Sequence, residues 1–163
     1  MTILKYKPDF NLLIIQNLFN IRVYGIYKNA GNELLLCDEE RFGIKMTKFP
    51  GGGLQYGEGT IECLKREAVE EFGQEIKVLS HFYTTDFYQK SYFHENHQLI
   101  SIYYYFDFID EIRFKISKVP FSFNTYDEEP ISFRFRSLNE INPSELTFPV
   151  DQYVLKLLKE KYL

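Results

Sequence analysis

The feature that most constrains this chain is a run of three glycines followed shortly by one helical segment. Residues without a Cβ atom let the backbone turn tightly and let another chain or a ligand approach closely. From Thr60 to Phe72, apolar residues recur at helical spacing, with Thr60 as the expected N-cap and Gly73 as the expected left-handed end. The pattern therefore predicts a backbone hinge that leads into an amphipathic helix. The glycines are Gly51, Gly52 and Gly53.

The segments around this helix are mostly predicted as strands. Residues 28–32 have the composition of a hairpin loop between two apolar runs. A final helix is indicated by an apolar stripe. The predicted strands are Ile21–Tyr27, Glu33–Cys37, Ile76–Tyr88, Leu99–Ile109 and Ile131–Phe135, and the final helix is Val150–Leu163. This order predicts a sheet covered by helices in one domain, residues 21–163, after a lead-in segment, residues 1–20.

The composition of the chain limits which kinds of molecule the protein is expected to bind. The formal net charge is −4, with 19 basic and 23 acidic residues, which argues against binding of a nucleic acid polymer. No stretch approaches the roughly 20 apolar residues of a membrane span, and the N-terminus does not match a signal peptide. We therefore expect a cytoplasmic protein with no membrane partner, in which Cys37 and Cys63 are reduced thiols.

The helix carries a crowded acidic face. Glu67, Glu70 and Glu71 are related by i, i+3 and i+4, so their carboxylates repel one another. Arg66 points about 100° away from Glu67 and is expected to reach Glu70 or Glu62. Oxygen ligands at this spacing suit Mg²⁺, which is usually bound by a few carboxylates, waters and phosphates. The alternative is a solvated helix surface.

The complete string of residues strengthens the metal interpretation. It resembles the Nudix box, G-x5-E-x7-R-E-U-x-E-E-x-G-U, in which U is a bulky aliphatic residue. Every Gly, Glu and Arg position of the box is matched here. Ala68 is a small first U, and Gln74 departs from the last U, so Ile76 is expected to be buried in its place. The matching positions are Gly52, Glu58, Arg66, Glu67, Glu70, Glu71 and Gly73.

The resemblance implies an α/β fold of the Nudix type, an α/β/α sandwich with a mixed central sheet. It also implies Mg²⁺- or Mn²⁺-dependent hydrolysis, by attack of water on phosphorus, of a nucleoside diphosphate linked to another group. By position, Glu67, Glu70 and Glu71 would bind metal and Arg66 would orient them through salt bridges. Glu58 would support that network or bind metal through water, and Gly52 would shape the phosphate loop.

Several assignments stay open. The general base is either a box glutamate or a later acid, and Glu128 and Glu129 are either further metal ligands or part of an exposed acidic loop. A nucleoside triphosphate, a nucleotide sugar or a dinucleotide polyphosphate could be the substrate, the last favoured only weakly by Tyr88 or Tyr92. A basic residue for phosphate could be Arg41, Lys45 or Lys48. A Nudix-fold nucleotide sensor without useful turnover is the alternative function, and a homodimer is compatible with either.

Overall fold

The computed structural model describes residues 18–123 and 130–163. Most of the expected lead-in segment and the two later acids, Glu128 and Glu129, lie outside the described residues. No helix in these two ranges is long and apolar enough to cross a membrane. The strands are β1 (Leu18–Ile26), β2 (Glu33–Arg41), β3 (Ile44–Lys48), β4 (Gly51–Gly53), β5 (Ile76–Thr84), β6 (His97–Phe108), β7 (Ile116–Ser117) and β8 (Ile131–Ser137). The α-helices are α1 (Thr60–Phe72) and α2 (Pro149–Tyr162), and a 3₁₀ turn covers Pro143–Glu145.

The fold is of the expected mixed α/β class, but the strands form two sheets instead of one central sheet. One sheet has the order β4-β1-β6-β5 and the other has the order β3-β2-β8-β7. In the first sheet β1 runs parallel to β6 and antiparallel to β4. In the second, β7 and β8 are parallel, and the other pairs are antiparallel. Both sheets are therefore mixed.

The expected hairpin between β1 and β2 is only local. Lys28 and Leu34 form an isolated antiparallel bridge, and the strands then separate into different sheets. In β2, residues 34–37 are all fully buried, so both faces of that strand need apolar neighbours. A strand that is buried on both faces has a continuous apolar sequence. A hairpin with one face in solvent would leave one face of β2 exposed to water.

Helix α1 has the predicted bounds but a different cap and a narrower buried face. Gly59 is the N-cap, and its N–H donates to the Glu62 carboxylate over 2.8 Å. The hydroxyl of Thr60, expected to be the cap, instead hydrogen-bonds the hydroxyl of Tyr104. Gly73 ends the helix with φ of 64°, as predicted. Of the apolar residues expected on one buried face, Leu64, Ala68 and Phe72 are buried, whereas Ile61 and Val69 are about half exposed.

The departure from the Nudix pattern at Gln74 has a structural explanation. The side chain is buried, donates to the carbonyl of Glu111 over 3.0 Å and accepts from the N–H of Arg113 over 2.6 Å. Ile76 is buried in the core cluster around α1, as expected. Gln74 therefore fastens the loop after β6 to the end of the helix, while Ile76 supplies the apolar packing.

Candidate active site

The three box glutamates predicted to bind metal converge on one cavity together with the three glycines. β4 places the glycines beside β1, and α1 places the glutamates over β4. Pro130 and Ile131 also line the cavity, directly after the segment that contains Glu128 and Glu129. The residues lining it are Arg22, Glu39, Glu40, Arg41, Lys48, Gly51, Gly52, Gly53, Glu67, Glu70, Glu71, Pro130 and Ile131.

The glycines form an extended strand, β4, and allow the close approach that their composition predicted. A Cβ atom on Gly52 would overlap the Glu67 carboxylate. At Gly51, φ is 126° and a Cβ atom would overlap the carbonyl oxygen of Val23. The Gly51 N–H donates to Oε2 of Glu71 over 3.0 Å. Glycine is therefore required here because strand β1 lies against one side of β4 and the box glutamates against the other.

Arg66 holds the acidic residues together from behind the cavity. Its Nε and Nη2 donate to the two oxygens of Glu58 over 3.0 and 2.7 Å. Its Nη1 donates to Glu67 over 2.8 Å and to Glu70 over 2.9 Å. The contact with Glu67 forms although the two residues are adjacent on the helix, and Glu62 is not a partner. Nη2 also donates to the carbonyl oxygen of Gly53 over 3.0 Å, which ties the helix to β4.

Glu58 is a partner of Arg66 and does not line the cavity. Its two-point hydrogen bonding with the guanidinium lowers the pKa of the Glu58 carboxyl to about 2. A planar guanidinium matches a carboxylate in this fork geometry and fixes its orientation. Of the two roles considered for Glu58, this geometry favours support of the network.

A second ion-pair cluster lies on the buried side of the cavity. Lys48 is 2% exposed, and its Nζ lies 3.1 Å from Glu39 and 3.4 Å from Glu71. It also donates to the carbonyl oxygen of Gly51 over 2.8 Å. Burial opposes protonation of Lys48, but the acidic groups of Cys37, Glu71 and Glu39 outweigh it and raise the pKa of the ammonium. Burial raises the pKa of Glu71 to about 7.

Arg22 and Glu39 are among the cavity residues that were not predicted from the sequence. Arg22 lies in β1, and its Nε donates to the Tyr24 hydroxyl over 2.7 Å. Glu39 lies in β2 and reaches the cavity beside Lys48. An arginine inside the apolar run of β1 was the available signal for the first residue. For Glu39 the sequence carried no such signal, because Glu39 comes near Glu71 only through the pairing of strands. Of the basic candidates, Lys48 and Arg41 line the cavity.

The two thiols do not provide a nucleophile. Burial raises the pKa of Cys63 to about 12 and raises the pKa of Cys37 well above its ordinary value. Only a thiolate attacks efficiently, so both groups are inert at neutral pH. Cys37 does lie near the site, since its Sγ and carboxylate oxygens of Glu39 and Glu71 are within 4.8 Å of one another.

A second cavity, lined by aromatic side chains, adjoins the first. Arg22, Glu39, Arg41 and Lys48 line both cavities. Tyr92 lines the aromatic cavity, whereas Tyr88, the other tyrosine considered for a dinucleotide polyphosphate, does not.

Comparison with known proteins identifies the family of this arrangement. The sequence model of the NUDIX domain matches residues 18–158. No curated protein sequence matches the chain. The E. coli ORF135 protein superposes with a TM-score of 0.66 at 18% identity, covering 88% of this chain and 90% of its own. A MutT protein from Methanosarcina mazei Go1 superposes with a TM-score of 0.63 at 18% identity, covering 90% of this chain and 96% of its own. These likenesses show a shared fold.

Proposed function

The chain belongs to the Nudix family of hydrolases, and we propose that it is a divalent-metal-dependent enzyme that hydrolyses a nucleoside diphosphate linked to another group. The observation that carries the proposal is the convergence of Glu67, Glu70 and Glu71 with the glycine strand in one cavity. A solvated acidic helix surface would not need Arg66 and Lys48 to hold its carboxylates in fixed positions.

The donor set fits a hard divalent cation. Glu39, Glu67, Glu70 and Glu71 offer carboxylate oxygens around the cavity, the ligand type that Mg²⁺ and Mn²⁺ prefer. These four residues would hold the ion. When bound, such an ion neutralises phosphate charge and lowers the pKa of a water that attacks phosphorus.

The chain's own side chains would position the substrate and the carboxylates. Arg22 and Lys48 present positive charge to a diphosphate, and the glycines let its oxygens approach the backbone of β4. Arg66 fixes the orientation of Glu67 and Glu70, and Lys48 with the Gly51 N–H fixes Glu71. In the reaction the oxygen of water would bond to phosphorus and the water would give a proton to a general base, either a box glutamate or a later acid. The bridging P–O bond would break, and two phosphorylated products would leave.

The proposal is tested by measuring turnover of a panel of substrates at saturating Mg²⁺ or Mn²⁺. The panel contains nucleoside triphosphates, nucleotide sugars and dinucleotide polyphosphates, and the variants are Glu70→Gln and Glu71→Gln. Glu75→Gln is the matched control, since Glu75 is exposed just beyond the helix and lines no part of this cavity. We expect the two cavity variants to lose at least about 100-fold in turnover and the control to match the parent.

Two outcomes would overturn the proposal. Turnover by Glu70→Gln and Glu71→Gln equal to that of the parent would show that these carboxylates do not serve the reaction. Tight nucleotide binding without metal, combined with no hydrolysis across the panel, would instead identify a nucleotide sensor. Identification of the products on the successful substrate also establishes which phosphorus is attacked.

A further inference from the structure

The aromatic cavity is placed to receive a group attached to the diphosphate. It shares Arg22, Glu39, Arg41 and Lys48 with the carboxylate cavity, so the two cavities adjoin. A group attached to a diphosphate at the carboxylates would therefore lie next to the aromatic cavity. The residues that line the part of the aromatic cavity away from the carboxylates, its far end, therefore help to determine which substituent the protein accepts.

Three segments of the chain supply aromatic rings to that far end. Phe42 comes from the turn between β2 and β3, Tyr92 and Phe93 from the loop before β6, and Phe148 from the residue before α2. The ring centroids of Phe42 and Phe93 are 6.0 Å apart, and those of Tyr92 and Phe148 are 6.1 Å apart. Aromatic side chains from separate segments thus form the walls of one cleft, which we call the aromatic cleft.

The turn that carries Phe42 is built at a conformational cost. Phe42 has φ of 53° and Gly43 has φ of 74°, so both central residues of this two-residue hairpin are left-handed. Such a turn favours Asn-Gly, and a bulky residue at positive φ is strained. Burial does not compensate, because Phe42 is 79% exposed. Residues held in strained conformations cluster at ligand sites, and this one places a ring at the cleft.

Polar groups stand at the cleft beside these rings. Within the part of the chain that the structure describes, the Asn20 amide and the Ser91 hydroxyl form no hydrogen bond, and both residues line the cleft. An amide offers both a donor and an acceptor, as does the edge of a nucleobase. The cleft therefore combines flat apolar faces with unused hydrogen-bonding groups.

We propose that the aromatic cleft binds the base of the nucleoside diphosphate substrate and that Phe42 is a specificity-determining residue that stacks on it. The proposal rests on the proposed function, because it places the diphosphate at the carboxylate cavity. A ring with a π-face gains from stacking against aromatic side chains. A diphosphate joined only to a sugar or an inositol has no such face and would leave the cleft unfilled.

The replacement that separates recognition from folding is Phe42→Asn. Asn is favoured at this turn position, so the variant is expected to unfold at the same temperature as the parent or at a higher one. The matched control is Phe121→Asn, since Phe121 also has a left-handed φ, 55°, and does not line the cleft. Tyr92→Leu is a second variant of the cleft that leaves the turn unchanged.

Binding is measured calorimetrically with α,β-methylene nucleoside diphosphates and with methylenediphosphonate, which has the diphosphate-like group but no base. Phe42→Asn and Tyr92→Leu are each expected to weaken binding of the nucleoside analogues about 5- to 150-fold. Binding of methylenediphosphonate should not change, and neither ligand should distinguish Phe121→Asn from the parent.

Equal loss of affinity for both ligands in Phe42→Asn, or no loss for the nucleoside analogues, would overturn the proposal. Neither analogue is hydrolysed at its P–C–P bridge, so the outcome does not depend on turnover. If the binding experiment gives one of these results while Glu71→Gln still loses hydrolysis, the proposal of base recognition is refuted and the hydrolase proposal stands. If Glu70→Gln and Glu71→Gln hydrolyse the substrate like the parent while the binding results are as expected, the hydrolase proposal is refuted and the proposal of base recognition stands.

Discussion

Acidic side chains of helices α1 and α2 both point toward the sheets, but they have different hydrogen-bonding and ionic partners. On α1, Arg66 bonds Glu67 and Glu70, and Lys48 pairs with Glu71. On α2, Asp151 is fully buried, and its Oδ1 accepts from the neutral hydroxyl of Tyr103 over 2.6 Å. Its other oxygen, Oδ2, has no hydrogen bond within residues 18–123 and 130–163.

The difference shows how carboxylate side chains serve two purposes in this protein. A carboxylate that meets a cation or a backbone N–H keeps its charge at a cavity, where it can act on a ligand. A carboxyl buried beside a neutral hydroxyl is held closer to its protonated form, and burial raises the pKa of Asp151 to about 7. Glu71 lies between the two cases, since it has a cationic partner but its side chain is only 12% exposed, and burial raises its pKa.

The largest expected effect comes from removing the buried cation with Lys48→Met. Glu39 and Glu71 would then face each other without the cation that pairs with both, and breaking a buried ion pair in this way costs about 3–5 kcal/mol. The free energy of unfolding is measured by urea denaturation in the presence of a chelator, so that no metal replaces the ammonium. The control is Lys45→Met, on the same strand but exposed. Equal losses in the two variants would refute the pairing argument.

Asp151→Asn should remove a pH dependence of stability. Because the pKa of Asp151 is about 7 in the folded protein and 3.8 for an unperturbed aspartic acid, the folded state binds more protons between these values. Stability from this group is therefore present below about pH 4 and is lost as pH rises toward 7. We expect the variant to be more stable than the parent at pH 8, on the order of 2–4 kcal/mol, and similar to it at pH 4. If the difference in unfolding free energy between parent and variant were the same at pH 4 and pH 8, the raised pKa of Asp151 would be contradicted.

Arg66→Met tests the other side of the comparison through activity. Without the guanidinium, Glu67 and Glu70 lose the donor that orients them, and a displacement of about 1 Å in such a group can cost 100-fold in rate. The turnover number is measured at saturating metal on the substrate found in the panel. The control is Arg113→Met, because Arg113 and its partner Asp110 are each 68% exposed and an exposed pair contributes little. Normal turnover by Arg66→Met would mean that the glutamates hold their positions unaided.

The smallest effect is expected from Gln74→Leu, which restores an aliphatic residue at the end of the box. Gln74 is buried like Asp151 but has both a donor and an acceptor partner. Loss of these two hydrogen bonds should lower the free energy of unfolding by about 1–3 kcal/mol, measured by urea denaturation. Turnover should not change. A stability gain would show that packing at this position outweighs the hydrogen bonds.

The features that were predicted correctly from the sequence depend on residues that are close together along the chain. The bounds of α1 and its glycine end were predicted because apolar spacing and a left-handed terminus depend on nearby residues only. The convergence of the box glutamates followed from helical periodicity in the same way. Glu39, Arg22 and the partners of Gln74 were not predicted because distant strands and loops bring them together. The division into two sheets was missed for the same reason, since residues 28–32 indicate a turn but not where its strands lead.

The parallel ladder between β1 and β6 has a consequence for how the chain emerges from the ribosome. About 80 residues separate each pair of partners, from Leu18 with His97 to Ile26 with Tyr105. At typical translation rates, β1 waits about 4–16 s after its own synthesis before β6 exists. During that interval the row of backbone donors and acceptors of β1 that faces β6 has no native partner. The strand on which the glycine strand and the cavity are built is thus one that benefits from chaperone protection until β6 is made.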